Sequence, residues 1–141
     1  MMGTRYTFLR ESVANLAASA ADQASYLDDS FAGLTGGKSA EAYGNDELAM
    51  EFDDSFIAVS HMLEYGEIRQ SEIDALRSLD EMLNRWSGPR HTDFWARKAL
   101  FEDHRWEAIR LRAIEVLALM PDEPRESEYT RSLANNGHNG S

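Results

Sequence analysis

Apolar positions set the first reading of the chain. Tyr6, Leu9, Val13, Leu16, Ala20, Ala24, Leu27 and Phe31 follow one another at steps of three or four. That period predicts one long amphipathic helix over about residues 4–29, with alanines forming a slim stripe that lets a neighbour approach closely. Gly33, Gly36, Gly37 and Gly44 then mark residues 30–45 as a loop. Leu48, Phe52, Phe56, Val59 and Leu63 predict a second helix over about residues 46–65, which Gly66 ends. Ser71 with Asp74 three residues on reads as a capping box for a third, whose apolar face is Ile73, Leu76, Leu79, Leu83 and Trp86.

The densest apolar stretch is 92–120. Thr92 is the expected cap of a short helix carrying Phe94, Trp95, Leu100 and Phe101. Asp103 is the expected cap of a longer one carrying Trp106, Ile109, Ala113, Val116, Leu117 and Met120, which Pro121 ends because the residue before a proline avoids helical angles. Ile114, Ala118 and Leu119 widen that face, predicting burial over more than half the circumference, with Arg110 and Arg112 on the thin polar side. The other helices should pack on this pair. The pattern implies an all-α fold, a single-domain bundle of four to five helices over residues 1–120, with the first more loosely attached. Residues 121–141, rich in Pro, Glu, Ser, Asn and Gly, form a flexible tail.

At 141 residues one domain is expected, and 43% hydrophobic residues supply a core. With no cysteine there is neither a disulfide framework nor a thiolate metal site, as in a reducing, cytoplasmic setting. No run reaches the length of a membrane span. Ala18-Ser19-Ala20 has the form of a signal-peptidase site, but Arg10, Glu11 and Asn15 leave too short an apolar core before it.

Charge changes the picture more. The net charge is −11, and residues 1–87 hold 16 acids against 6 bases, whereas residues 88–120 hold 5 against 6. Phosphates would be repelled over most of such a surface, so neither nucleic acid nor an anionic membrane is the expected partner. Asp46, Glu47, Glu51, Asp53 and Asp54 place five carboxylates within nine residues, and between Arg10 and Arg69 the one basic side chain is Lys38. A helix start favours an acid or two. The surplus is either a solvated helix start or a surface for a basic protein partner, and the charge asymmetry adds weight to the second. Arg97, Lys98, Arg105, Arg110 and Arg112 most simply offset the acidic half within the same molecule, or else form a small anion-binding face.

Other chemistry is thinner. The stretch from Ala32 to Lys38-Ser39 matches the loose form of a phosphate loop, but a helix rather than a buried strand precedes it. His61 and Glu64, with Glu67 nearby and His104 or Glu102 from elsewhere, offer ligand types for a metal, and a small helical metal-dependent enzyme using His61, Glu64 and His104 is the alternative to a binding module. The two Glu-x-x-His pairs of a four-helix dimetal site are missing. No Ser-His-Asp or Cys-His set can be assembled, and no cofactor is implied.

Glu64-Tyr65-Gly66-Glu67-Ile68, Leu79-Asp80 with Met82, Phe94-Trp95, and Trp106-Glu107-x-Ile109-Arg110-x-x-Ala113 resemble small acidic helical bacterial proteins of the immunity type and other uncharacterised bacterial domains, over about residues 46–120. Such proteins neutralise a basic toxin by covering it with an acidic face. The resemblance therefore implies a non-enzymatic protein–protein interaction module and no catalytic residue.

Overall fold

A computed structural model of the chain describes residues 4–35, 44–86 and 89–122. The fold is all-α. The helices are α1 (Arg5–Ala17), α2 (Ala20–Thr35), α3 (Asp46–Phe56), α4 (Val59–Glu64), α5 (Gln70–Arg85), α6 (Ala99–Glu102) and α7 (His104–Leu119), with one 3-10 turn at Pro89–His91. Four of them close a ring: α1 packs on α3 and α7, and α5 packs on the same two from the far side. α2 lies outside the ring against α6.

The first helix is not loosely attached. Tyr6, Leu9, Val13 and Leu16 of α1 are fully buried against Leu48 and Phe52 of α3 and the face of α7. The Tyr6 hydroxyl donates to the Pro121 carbonyl at 2.5 Å, and Arg10 pairs with Asp122 at 2.9 Å, so the chain beyond α7 is held onto α1. The rest of the expected tail, 123–141, lies outside the described residues, as does the phosphate-loop-like stretch from 36 onward; Ala32–Thr35 belong to α2.

The periodicity of residues 4–29 hides a break. Ala18 adopts extended angles, and Ser19 starts α2 by accepting the Asp22 N–H. The Gln23 side chain turns back and donates to the Asn15 and Leu16 carbonyls, both at 3.1 Å, which the end of α1 leaves without helical partners. The apolar spacing runs across the break undisturbed because both helices face the same core. Residues 46–65 also divide, at Ile57-Ala58, with the backbone staying near helical angles. Gly66 ends α4 at φ 77°, with Glu67 N–H to the Met62 carbonyl and Gly66 N–H to the Leu63 carbonyl, the paired bonds of a Schellman stop. Ser71 lies inside α5, whose first turn receives no side-chain cap.

Residues 92–98 are turns around a single bridge residue at Ala96, not helix. Aromatic packing holds them. Phe94 stacks on Trp106 (centroids 4.6 Å, planes 5° apart) and meets Trp95 edge-on, while the Trp95 and Trp106 N–H groups donate to the carbonyls of Trp86 and Phe94. The Arg105 guanidinium lies over the rings of Trp86 and Phe94. A regular helix through Phe94 would spend that carbonyl on its own backbone instead of on Trp106. Asp103 caps α7 as expected, accepting the Arg105 N–H at 2.9 Å.

Two expectations for α7 fail. Its buried face is Trp106, Ile109, Ala113 and Val116, whereas Leu111, Ile114, Ala118 and Leu119 are exposed. Arg110 turns inward, donating to the Leu100 carbonyl and to Gln23 Oε1, so it ties α6, α7 and α2 together.

Candidate functional site

The acidic helix α3 is set by what precedes it. Gly44 sits at φ 120°, and the buried Asn45 donates to the Ala96 carbonyl at 2.6 Å, fixing the start of α3 to the aromatic turn region. Leu48 and Phe52 then face the core, and Phe52 stacks on Phe56 at 5.4 Å. With the apolar side committed, the carboxylates must occupy the outside.

They do not occupy it equally. Asp46, Asp53 and Asp54 are exposed; Glu47 and Glu51 are half-buried toward α2. Tyr26 of α2 donates its hydroxyl to both Glu51 oxygens, at 2.6 and 2.8 Å, so Glu51 already has an internal partner. Burial pushes the Glu47 carboxyl above its usual range, and the charges of Glu51, Asp46 and Asp54 push it the same way. Asp80 of α5 is raised first by burial and then by Asp53 across the α3–α5 contact. The acidic surface thus spans two helices, and the Asp80 contribution was invisible in the sequence because it depends on which helices pack.

Apolar side chains are interleaved with these acids. Asp46, Met50, Asp53 and Ile57 follow at steps of four, three and four, which puts them on one outer stripe. Met50 is 54% and Ile57 73% exposed. Beside the stripe, α1, α2 and α3 enclose a cleft of about 300 Å³ with Phe8 and Tyr26 as aromatic walls and Glu11, Glu51 and Asp54 as carboxylates. Such a cleft can take a cationic group on an aliphatic stem, with the stem on the rings and the charge among the acids.

The basic set has the opposite disposition. Arg97 is buried against Asp28 and the Ala24 carbonyl, Arg105 bridges Asp93 and Asp103, and Arg110 is spent internally. Arg97 thus meets Asp28 of the acidic half and Arg105 meets two acids near it in sequence, whereas the bonds of Arg110 go to oxygens of Leu100 and Gln23, so the internal offset is partial. Lys98 and Arg112 stay exposed.

His61 and Glu64 stand 3.8 Å apart on α4, both largely exposed, and His104 is exposed at the start of α7. Among the described residues no three His, Asp or Glu side chains form a group that could hold a metal ion, so His104 does not complete a set with His61 and Glu64. No helix among the described residues is long and apolar enough to cross a membrane. No protein-family model matches the chain, and comparison with curated proteins and with solved structures returns no match.

Proposed function

We propose that the protein is a binding module of the toxin-neutralising, immunity type, which acts in the cytoplasm by covering a basic protein surface with the outer face of α3. The observation that carries this reading is the stripe of Asp46, Met50, Asp53 and Ile57. Three exposed acids, Asp54 included, surround two large apolar side chains that the fold leaves in water. Contact with a basic surface that also offers apolar area would bury both kinds of group together. The likeness of residues 46–120 to acidic immunity-type proteins points the same way. Nucleic acid and anionic membrane fit poorly with a surface of this sign.

The structure selects the residues for the test. Glu51 is engaged with Tyr26, so changing it would disturb the fold's own contacts. Asp46, Asp53 and Asp54 are exposed and can be changed together to Asn. A partner is first captured from the native host with the wild-type chain. Its association rate should then fall with rising ionic strength and fall again, at low salt, with the triple variant, while the melting temperature holds. An association rate indifferent to both would overturn the reading.

A further inference from the structure

The outer face of α7 is a second unpartnered surface of a different kind. Leu111, Ile114 and Leu119 are 56, 50 and 58% exposed, and Ala108 and Ala118 are exposed beside them. Leu111, Ile114 and Ala118 follow at steps of three and four, the spacing of a helix–helix seam. The opposite side of α7 already fills the core, so this seam has nothing to pack on within the described residues.

Charge decides what covers it. The molecule carries −11 overall, so most of its surface repels a copy of itself, the α3 face most of all. The exposed α7 face is an exception, carrying both signs in Glu107, Arg112 and Glu115. Arg112 and Glu115 lie three residues apart along one edge of the seam. In an antiparallel pair related by a two-fold axis, like edges meet, and a residue a given number of positions before the axis faces one the same number after it. With the axis level with the midpoint of Arg112 and Glu115, each Arg112 faces the other copy's Glu115. The same register sets the small Ala108 opposite the large Leu119. A purely basic or purely acidic partner would satisfy one charge of this edge and oppose the other, whereas a second copy satisfies both.

We propose that α7 pairs antiparallel with α7 of a second copy through Leu111, Ile114 and Ala118, with reciprocal Arg112–Glu115 ion pairs. Arg112 now reaches Ser78 of α5 through an exposed contact at 3.3 Å, a bond weak enough to exchange for a carboxylate. This pairing leaves the α3 face outside the dimer and is independent of the toxin-neutralising reading.

Sedimentation equilibrium of the full chain tests it over a roughly hundredfold concentration range, wide enough to bracket a weak dissociation constant. The mass should rise from 15.9 kDa toward twice that value. Arg112→Glu alone and Glu115→Arg alone each set like charges across the axis and should weaken self-association about tenfold or more. The two changes together restore opposite charges and should recover it. Leu111→Glu should abolish it. All three positions are exposed, and unchanged circular dichroism and melting confirm that each of the four variants folds. A chain that stays monomeric throughout overturns the proposal, whether another segment or a different protein covers the face. A dimer that responds to neither reversal, or that the double reversal fails to recover, overturns it as well.

Discussion

Replacing Trp106 by alanine removes the side chain on which the aromatic turn region rests. Trp106 is fully buried, stacks on Phe94 and meets Trp95 edge-on, and its indole N–H donates to the Phe94 carbonyl at 2.6 Å. A buried tryptophan withdraws about 150–250 Å² from water, about 4–6 kcal/mol at ~25 cal/mol per Å², of which alanine retains a small part. Measured large-to-small changes of this type cost about 3–5 kcal/mol. The Phe94 carbonyl loses its short bond and keeps only the long one from Asn45 at 3.5 Å, which adds a penalty on the order of 1 kcal/mol. The expected loss, about 4–6 kcal/mol, is a large part of the ~5–15 kcal/mol that stabilises an ordinary domain. Urea unfolding followed by circular dichroism measures it. Trp106→Phe separates the causes: it keeps a ring against Phe94 but removes the donor, and should cost only about 1–3 kcal/mol. The exposed Lys98→Ala is the control, within about 0.5 kcal/mol of wild type. If Trp106→Ala unfolds at the same urea concentration as Lys98→Ala, the stacking of residues 94 and 106 does not hold this region together. If the Phe variant loses as much as the Ala variant, the hydrogen bond and not ring packing is what matters.

Two further outcomes concern charge. The Arg105 side chain and backbone N–H hold the Asp103 carboxyl below its usual range. A depressed carboxylate stabilises the fold above its unfolded value, about 3.9, and the contribution disappears as pH falls through the folded value. Asp103→Ala should therefore cost about 1–2 kcal/mol at pH 7, and its deficit should shrink in melts at the most acidic pH the protein survives. Glu47 runs the other way: its raised carboxyl opposes folding when ionised, and the penalty fades as pH falls from its folded value to below its unfolded one, about 4.3. Glu47→Gln should thus stabilise the protein at pH 7 by a few tenths of a kcal/mol, an advantage that a thermal melt near pH 4 should no longer show.

Where the sequence predicted well, a local rule was sufficient. The three- and four-residue steps of Ile73, Leu76, Leu79 and Leu83 place the buried face of α5 without help, and Asp103 announces the start of α7. Where it failed, a distant partner decided. Nothing in Ala18-Ser19 demands a break; Gln23 reaching back makes one affordable. Residues 92–98 have the composition of a helix and are bent by Trp106 and Arg105. Arg110 looks like a surface cation until α6 and Gln23 surround it. The candidate site shows the same division. Its five acids are plain in the sequence, but Tyr26 separates Glu51 from the exposed three, and α5 adds Asp80, both consequences of packing.

The ring of helices also imposes an order on synthesis. The face of α1 carrying Tyr6, Leu9, Val13 and Leu16 is shared between α3 and α7, and the second of these is the last of the described helices to be made. When α3 leaves the ribosome, α1 has only half its cover. Its remaining apolar surface stays open until roughly 50 further residues have appeared, several seconds at ~5–20 residues per second. The final closure joins segments more than 100 positions apart: Tyr6 and Pro121 are separated by 115 positions, Arg10 and Asp122 by 112. A nascent chain that stops after α5 therefore carries an unsatisfied groove along α1, and chaperones should hold such truncated chains far more than the finished one.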